Sequence, residues 1–114
     1  MISIKTFESY NEGEDSIFEH LGKKYSVDKL ISVSQTKPVT PFSVDKLKWI
    51  LGHTDVEDQR IINSDLNYPI IITELSGKWY VLDGAHRLSK AVEQKLKSIN
   101  VKIVSTSELK TCAI

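Results

Sequence analysis

The residues of this chain best suited to chemistry are five in a row, Asp83-Gly84-Ala85-His86-Arg87. They follow a strand-like run, Trp79 to Leu82, and open a helix-like one, Leu88 to Leu96. At the start of a helix the first backbone N–H groups lack intrahelical partners, and the helix dipole favours an anion there. Arg87 and His86 would bring side-chain donors to the same point, and Gly84 permits a positive φ and a close ligand approach. The chemistry this suggests is phosphate binding by Gly84, Ala85, His86 and Arg87. Asp83 could hold a magnesium ion, which often takes one or two carboxylates plus phosphate oxygens. A structural reading competes at each position: Arg87 pairs with Asp83, His86 caps, Gly84 merely turns, and Asp83 caps the helix. Lys90, one turn after Arg87, faces either the phosphates or, as lone lysines commonly do, solvent.

Other candidates are weaker. His53, Glu57 and Asp58 offer metal-ligand types at a spacing that matches no recognised pattern, and a solvated polar face is the commoner outcome. Trp49 and Trp79 could stack on a base, although core or rim packing is the usual fate of tryptophan. The single cysteine, Cys112, allows no intrachain disulfide and lies near the C-terminus, where mobile positions are common.

The elements that must position these residues are legible in outline. Ile2 and Ile4 alternate with polar neighbours as in a short strand, and Asn11 to Asp15 has loop composition. Ile17, Phe18 and Leu21 fit a turn or two of helix before Gly22. Ser26 can cap a helix with Val27, Leu30 and Ile31 on its apolar face. Pro38-Val39-Thr40-Pro41 reads as an extended edge or connector. Ser43 can cap a second helix that turns Val44, Leu47, Ile50 and Leu51 inward and closes at Gly52. Thr54-Asp55-Val56-Glu57 fits a capping box for a third helix ending near Asn63. β-branched density and alternation then predict strands over 70–74, 78–82 and 99–104, with a turn at Leu75-Ser76-Gly77. Between the last two strands, a helix buries Leu88, Ala91, Val92 and Leu96. The fold class is α+β, with a small sheet.

The chain has 114 residues, enough for one domain. Its formal net charge is zero, by cancellation between an acidic N-terminal stretch and a basic C-terminal third. Glu8 to Glu19 holds five acids and no base, whereas Lys78 to Lys102 holds six Lys/Arg against two acids. A neutral chain argues against a whole-surface nucleic-acid binder and leaves room for a local basic patch. No apolar run has membrane-spanning length, and the N-terminus lacks a signal-peptide layout, so a cytoplasmic protein is expected.

Taken together, Pro69-Ile70-Ile71-Ile72, Gly77, Val81 to Leu88, Lys90-Ala91 and Ile99-Asn100-Val101 resemble the ParB/sulfiredoxin-like superfamily. They are most similar to its small single-domain ParB-like members, which carry an Asp-Gly-x-His-Arg signature. Tyr25 to Ile31, Pro38-Val39 and Ser64 to Pro69 resemble the same subgroup. The resemblance covers about residues 25–105, leaving 1–24 as an N-terminal extension and 106–114 as a C-terminal tail. It implies a small mixed sheet packed with helices, and a nucleotide site for ATP, ADP or CTP with magnesium at Asp83 to Arg87.

Branches of the superfamily differ in chemistry. Sulfiredoxins carry a catalytic cysteine immediately before His-Arg, where this chain has Ala85. Partition-type ParB proteins bind CTP at this turn and grip DNA through a following helix-turn-helix domain. Free-serine kinases carry a similar Asp-Gly-His-His-Arg and use an upstream glutamate as base; the matching region, Phe42 to Asp45, offers only Asp45. The resemblance therefore implies nucleotide phosphate binding, with phosphoryl transfer or nucleotide hydrolysis as the reaction if Asp83, His86 and Asp45 are catalytic. The alternatives are a non-catalytic DNA- or protein-interaction module of a mobile element or partition-type system, and a nuclease.

Overall fold

The computed structural model describes residues 17–53 and 56–114. The expected strand at Ile2 and Ile4, the loop from Asn11 to Asp15, and Thr54 of the expected capping box lie outside these residues.

The described residues open on a hairpin, where a helical turn was expected. β1 (Ile17–His20) pairs antiparallel with β2 (Lys23–Ser26). Leu21 and Gly22 join them with φ of 51° and 80°, the doubly left-handed turn that matches strand twist. Exposure alternates along β1, so Ile17 faces outward and Phe18 packs against the core. α1 (Val27–Ser34) begins as expected, with the Ser26 hydroxyl accepting from the Lys29 N–H. It buries Val27 and Leu30 and leaves Ile31 exposed.

β3 (Thr40–Ser43) is an edge strand, where Pro41 removes no needed ladder donor. The helix expected after it is replaced by two 3₁₀ segments, Val44–Lys46 and Lys48–His53, and the Ser43 hydroxyl makes no capping bond. The Val44 N–H is instead taken by the Lys97 carbonyl at 3.0 Å, and i→i+3 bonds run on from Val44 to Leu47 and from Leu47 to Ile50. Val44, Leu47 and Ile50 are buried nonetheless. α2 (Asp58–Asn63) starts later than the expected capping box, with Glu57 at its N-cap and no side-chain cap bond.

The principal sheet has the order β3-β6-β4-β5, built from β4 (Ile70–Leu75), β5 (Lys78–Asp83) and β6 (Ser98–Ile103) besides β3. β4 and β6 are parallel and the other pairs antiparallel, so the sheet is mixed. Ser76 and Gly77 repeat the left-handed pair of the first hairpin between β4 and β5. α3 (Ala85–Glu93) supplies the crossover from β5 to β6 and covers one face, where Leu88 and Ala91 meet Ile70, Ile72, Val81 and Val101. Val92 packs at the margin of this core and Leu96 is 40% exposed.

The opposite face holds Ile71 and Leu82 against Leu30, Val104, Leu109 and Cys112. Full burial of each such Leu or Ile side chain contributes about 1.5–3 kcal/mol. Thr73, buried between the layers, satisfies its hydroxyl on the Val104 carbonyl at 2.6 Å.

The C-terminal stretch is not a loose tail. α4 (Thr106–Lys110) opens with a full capping box between Ser105 and Glu108. Leu109 and Cys112 enter the second core, and the Ser26 N–H donates to the Cys112 carbonyl at 2.8 Å. The α+β class, the small mixed sheet and its helical cover are thus as the sequence implies. Among the described residues, no helix is long and apolar enough to cross a membrane.

Candidate functional site

The Asp83–Arg87 segment does sit where a strand hands over to a helix. Asp83 is the last residue of β5, Gly84 is the N-cap of α3, and Ala85 is its first helical residue. Gly84 has φ 113° and ψ 23°, a left-handed conformation that other residues rarely adopt. Packing requires glycine as well: a Cβ built there would lie 2.5 Å from Ile70 Cγ2 and 3.0 Å from Arg87 Nη2. The turn is therefore seated directly on the first residue of β4, with the guanidinium folded back over it. The Leu88 N–H makes the first helical bond, to the Gly84 carbonyl at 2.9 Å. The N–H groups of the preceding turn belong to the orphan set that every helix start presents.

Arg87 donates from Nη2 to Asp83 Oδ2 at 2.9 Å. The two side chains are 20% and 32% exposed, so the pair is only partly shielded from water. This is the structural pairing, present in this state of the molecule. Nη2 is one of three guanidinium nitrogens, so the group has further donors for an anion.

His86 and Lys90 both reach α2. The His86 Nε2 accepts the N–H of Glu57 at 3.1 Å. Lys90 Nζ donates to the carbonyls of Ile62 at 3.0 Å and Ser64 at 2.6 Å. Residues four apart lie on one helix face. From that face of α3, His86 holds the start of α2 and Lys90 holds its end, where a cation complements the helix dipole. Lys90 is thus engaged with the carbonyls at the end of α2. His86 acts as an acceptor toward the backbone of Glu57.

Asp45 is not at this turn. It belongs to the Val44–Lys46 segment and is bridged by Lys48 at 3.1 Å. It lines a cleft with Val92, Lys95, Leu96 and Lys97, at the far end of α3. Nine helical residues span about 13 Å, too far for Asp45 to act on a group bound at Gly84. What the fold does bring to His86 is the backbone of Glu57, through its N–H. No short-range signal in the sequence pairs Glu57 with His86, which lie 29 positions apart.

The remaining candidates make ring and hydrogen-bond contacts of their own. The ring of His53 meets that of Trp49 at 5.6 Å, edge to face. No group of three or more metal-ligating side chains occurs among the described residues. Trp49 donates its indole N–H to the Trp79 carbonyl at 3.1 Å and meets Tyr80 at 5.2 Å. Trp79 meets Phe42 at 4.8 Å, although β5 and β3 are opposite edges, so the sheet curls over this core. Cys112 is fully buried in the core beyond the other face of the sheet, which removes it as a nucleophile at the turn.

No protein-family model matches the chain, and no curated protein matches it in sequence. A comparison of structures finds a likeness to a sulfiredoxin from Arabidopsis thaliana. It covers 65% of this chain and 94% of the sulfiredoxin, at 17% identity and a TM-score of 0.47.

Proposed function

We propose that the chain binds a nucleotide through its phosphates at the Gly84 turn. The observation that supports this best is the seating of that turn: a left-handed glycine pressed onto Ile70 fixes the start of α3 and holds the Arg87 guanidinium against it. A phosphate group would take the N–H groups of Ala85 to Arg87 and draw Arg87 away from Asp83. Asp83, relieved of its partner, could then share a magnesium ion with phosphate oxygens. One carboxylate suffices for magnesium when phosphate completes its shell, which suits a site with Asp83 as its acid. That ion would offset phosphate charge, while the protein's own residues bind and orient.

Binding is better supported than turnover. Asp45, the expected base, stands at the other end of α3. If a base acts here, Asp83 is the acid that stands at the turn itself. Titration calorimetry with ATP, ADP and CTP, each with magnesium, tests the reading. We expect heat with at least one of them and a loss of about 10- to 100-fold in affinity for Arg87→Ala, the range for a charge-assisted contact. No heat with any nucleotide at high micromolar protein overturns the reading.

The Arg87–Asp83 pair favours a second reading, in which the turn is purely structural and the chain is an interaction module. Full partner binding by Arg87→Ala, together with no nucleotide heat, would select it.

A further inference from the structure

The far end of α3 carries a feature that the nucleotide reading does not use. Between the 3₁₀ segments and the α3–β6 loop lies a cleft of about 300 Å³. Val44, Val92 and Leu96 contribute its apolar lining, and Lys48, Lys95 and Lys97 its cations. Among the described residues, the one acid that lines it, Asp45, is already bridged by Lys48. Lys46 stands alongside, with its ammonium 5.8 Å from the centroid of the Phe42 ring.

The backbone beneath these lysines is pinned. The Leu96 N–H donates to Ala91 O and the Lys95 N–H to Val92 O, both at 3.0 Å, the paired bonds of a Schellman cap. The Val44 N–H holds the Lys97 carbonyl. Lys95 occupies the left-handed position of that cap, at φ 59°, where glycine is the usual residue. A strained lysine kept at the rim of a lysine-lined cleft is an outlier that points to use of its side chain. Complementing the dipole of α3 would account for Lys95 and Lys97, but not for Lys46 and Lys48, which come from another part of the chain.

We infer that this face binds the phosphodiester backbone of single-stranded nucleic acid. Four exposed lysines on two separate segments suit a run of phosphates better than a single anion, and lysines act as point charges without sequence preference. Half-buried rings adjoin them: Phe42 under Lys46, and Trp79 against Phe42. Cations interleaved with aromatic rings are the composition of surfaces on which successive bases stack. A neutral chain with one concentrated basic face is compatible with such local binding.

The test is fluorescence anisotropy of a labelled, unstructured oligothymidylate over a series of salt concentrations. It compares the parent protein with the triple variant Lys48→Gln/Lys95→Gln/Lys97→Gln, whose melting temperature is checked in parallel. Binding to single strands weakens with salt by about 0.7 in log–log slope per phosphate neutralised. The triple variant should therefore keep its fold, lose affinity at least tenfold at low salt, and show a slope shallower by about 2. Arg87→Ala should leave the slope unchanged, which separates this face from the nucleotide site. Absence of binding by the parent protein overturns the inference, as does an unchanged slope in a folded triple variant. Tighter binding to a duplex of equal length overturns the single-strand assignment. Equal competition by polyglutamate would assign the face to an acidic protein partner instead.

Discussion

At its start α3 is entered through a left-handed glycine; at its end it is left through a left-handed lysine. At residue 84 the space is closed: any Cβ would strike Ile70. At residue 95 the space is open, the side chain is exposed, and the backbone alone would prefer glycine. The first position holds its residue because packing permits no other. The second holds a residue that its backbone disfavours. Side-chain chemistry is therefore a poor explanation for Gly84 and a good one for Lys95.

The largest expected effect tests the closed end. Gly84→Ala must relieve a 2.5 Å contact while holding a positive φ, and should destabilise the fold by about 3 kcal/mol in urea unfolding. A loss below about 0.5 kcal/mol would mean the turn can relax, and the contrast between the two ends would fail. Next is Lys90→Met, which removes the donor from two α2 carbonyls. It should cost about 1.5–3 kcal/mol, the range for hydrogen bonds that involve a charged group, and should speed amide exchange in α2 before the rest of the molecule.

The open end should respond with opposite signs in two measurements. Lys95→Gly relieves a left-handed side chain and should stabilise by about 1 kcal/mol, while weakening oligonucleotide binding. A variant that gains stability and also keeps full binding would remove the reason for a lysine at that cap. The smallest effect lies off α3. Hydrogen bonds from Lys37 and then the Ser105 N–H hold the Glu108 carboxyl at about 2, below its ordinary 4.5. A lowered pKa gives stability that is complete above about 4.5 and lost as pH falls through about 2. Glu108→Gln should flatten the stability–pH curve over that interval and leave both ends of α3 unaltered.

Much of this was readable from the sequence, for identifiable reasons. β4, β5, β6 and α3 carry dense apolar patterns closed by turn residues, and local periodicity places such elements well. The Asp83-Gly84 break and the Arg87–Asp83 alternative both lie within five residues, so short-range reasoning reached them. What escaped was long-range. Ile17 and Phe18 fit either a helix or a strand, and only the Leu21-Gly22 turn decides between them. The 3₁₀ segments depend on a donor–acceptor pair between Val44 and Lys97. His86 and Lys90 could be placed on one face of α3, but nothing nearby names α2 as what that face holds. The basic C-terminal third was visible as composition; its meeting with Lys46 and Lys48 required the fold.

The indole of Trp49 has a consequence for how this protein meets others. Its N–H occupies a carbonyl on β5, one outer strand of the principal sheet. The other outer strand, β3, contains Pro41, which has no N–H to offer. An incoming extended peptide would meet a blocked acceptor on one side and a missing donor on the other, which disfavours both strand addition and edge-to-edge aggregation. Recognition is thereby directed to side chains and helix ends, where sequence can change without disturbing the sheet.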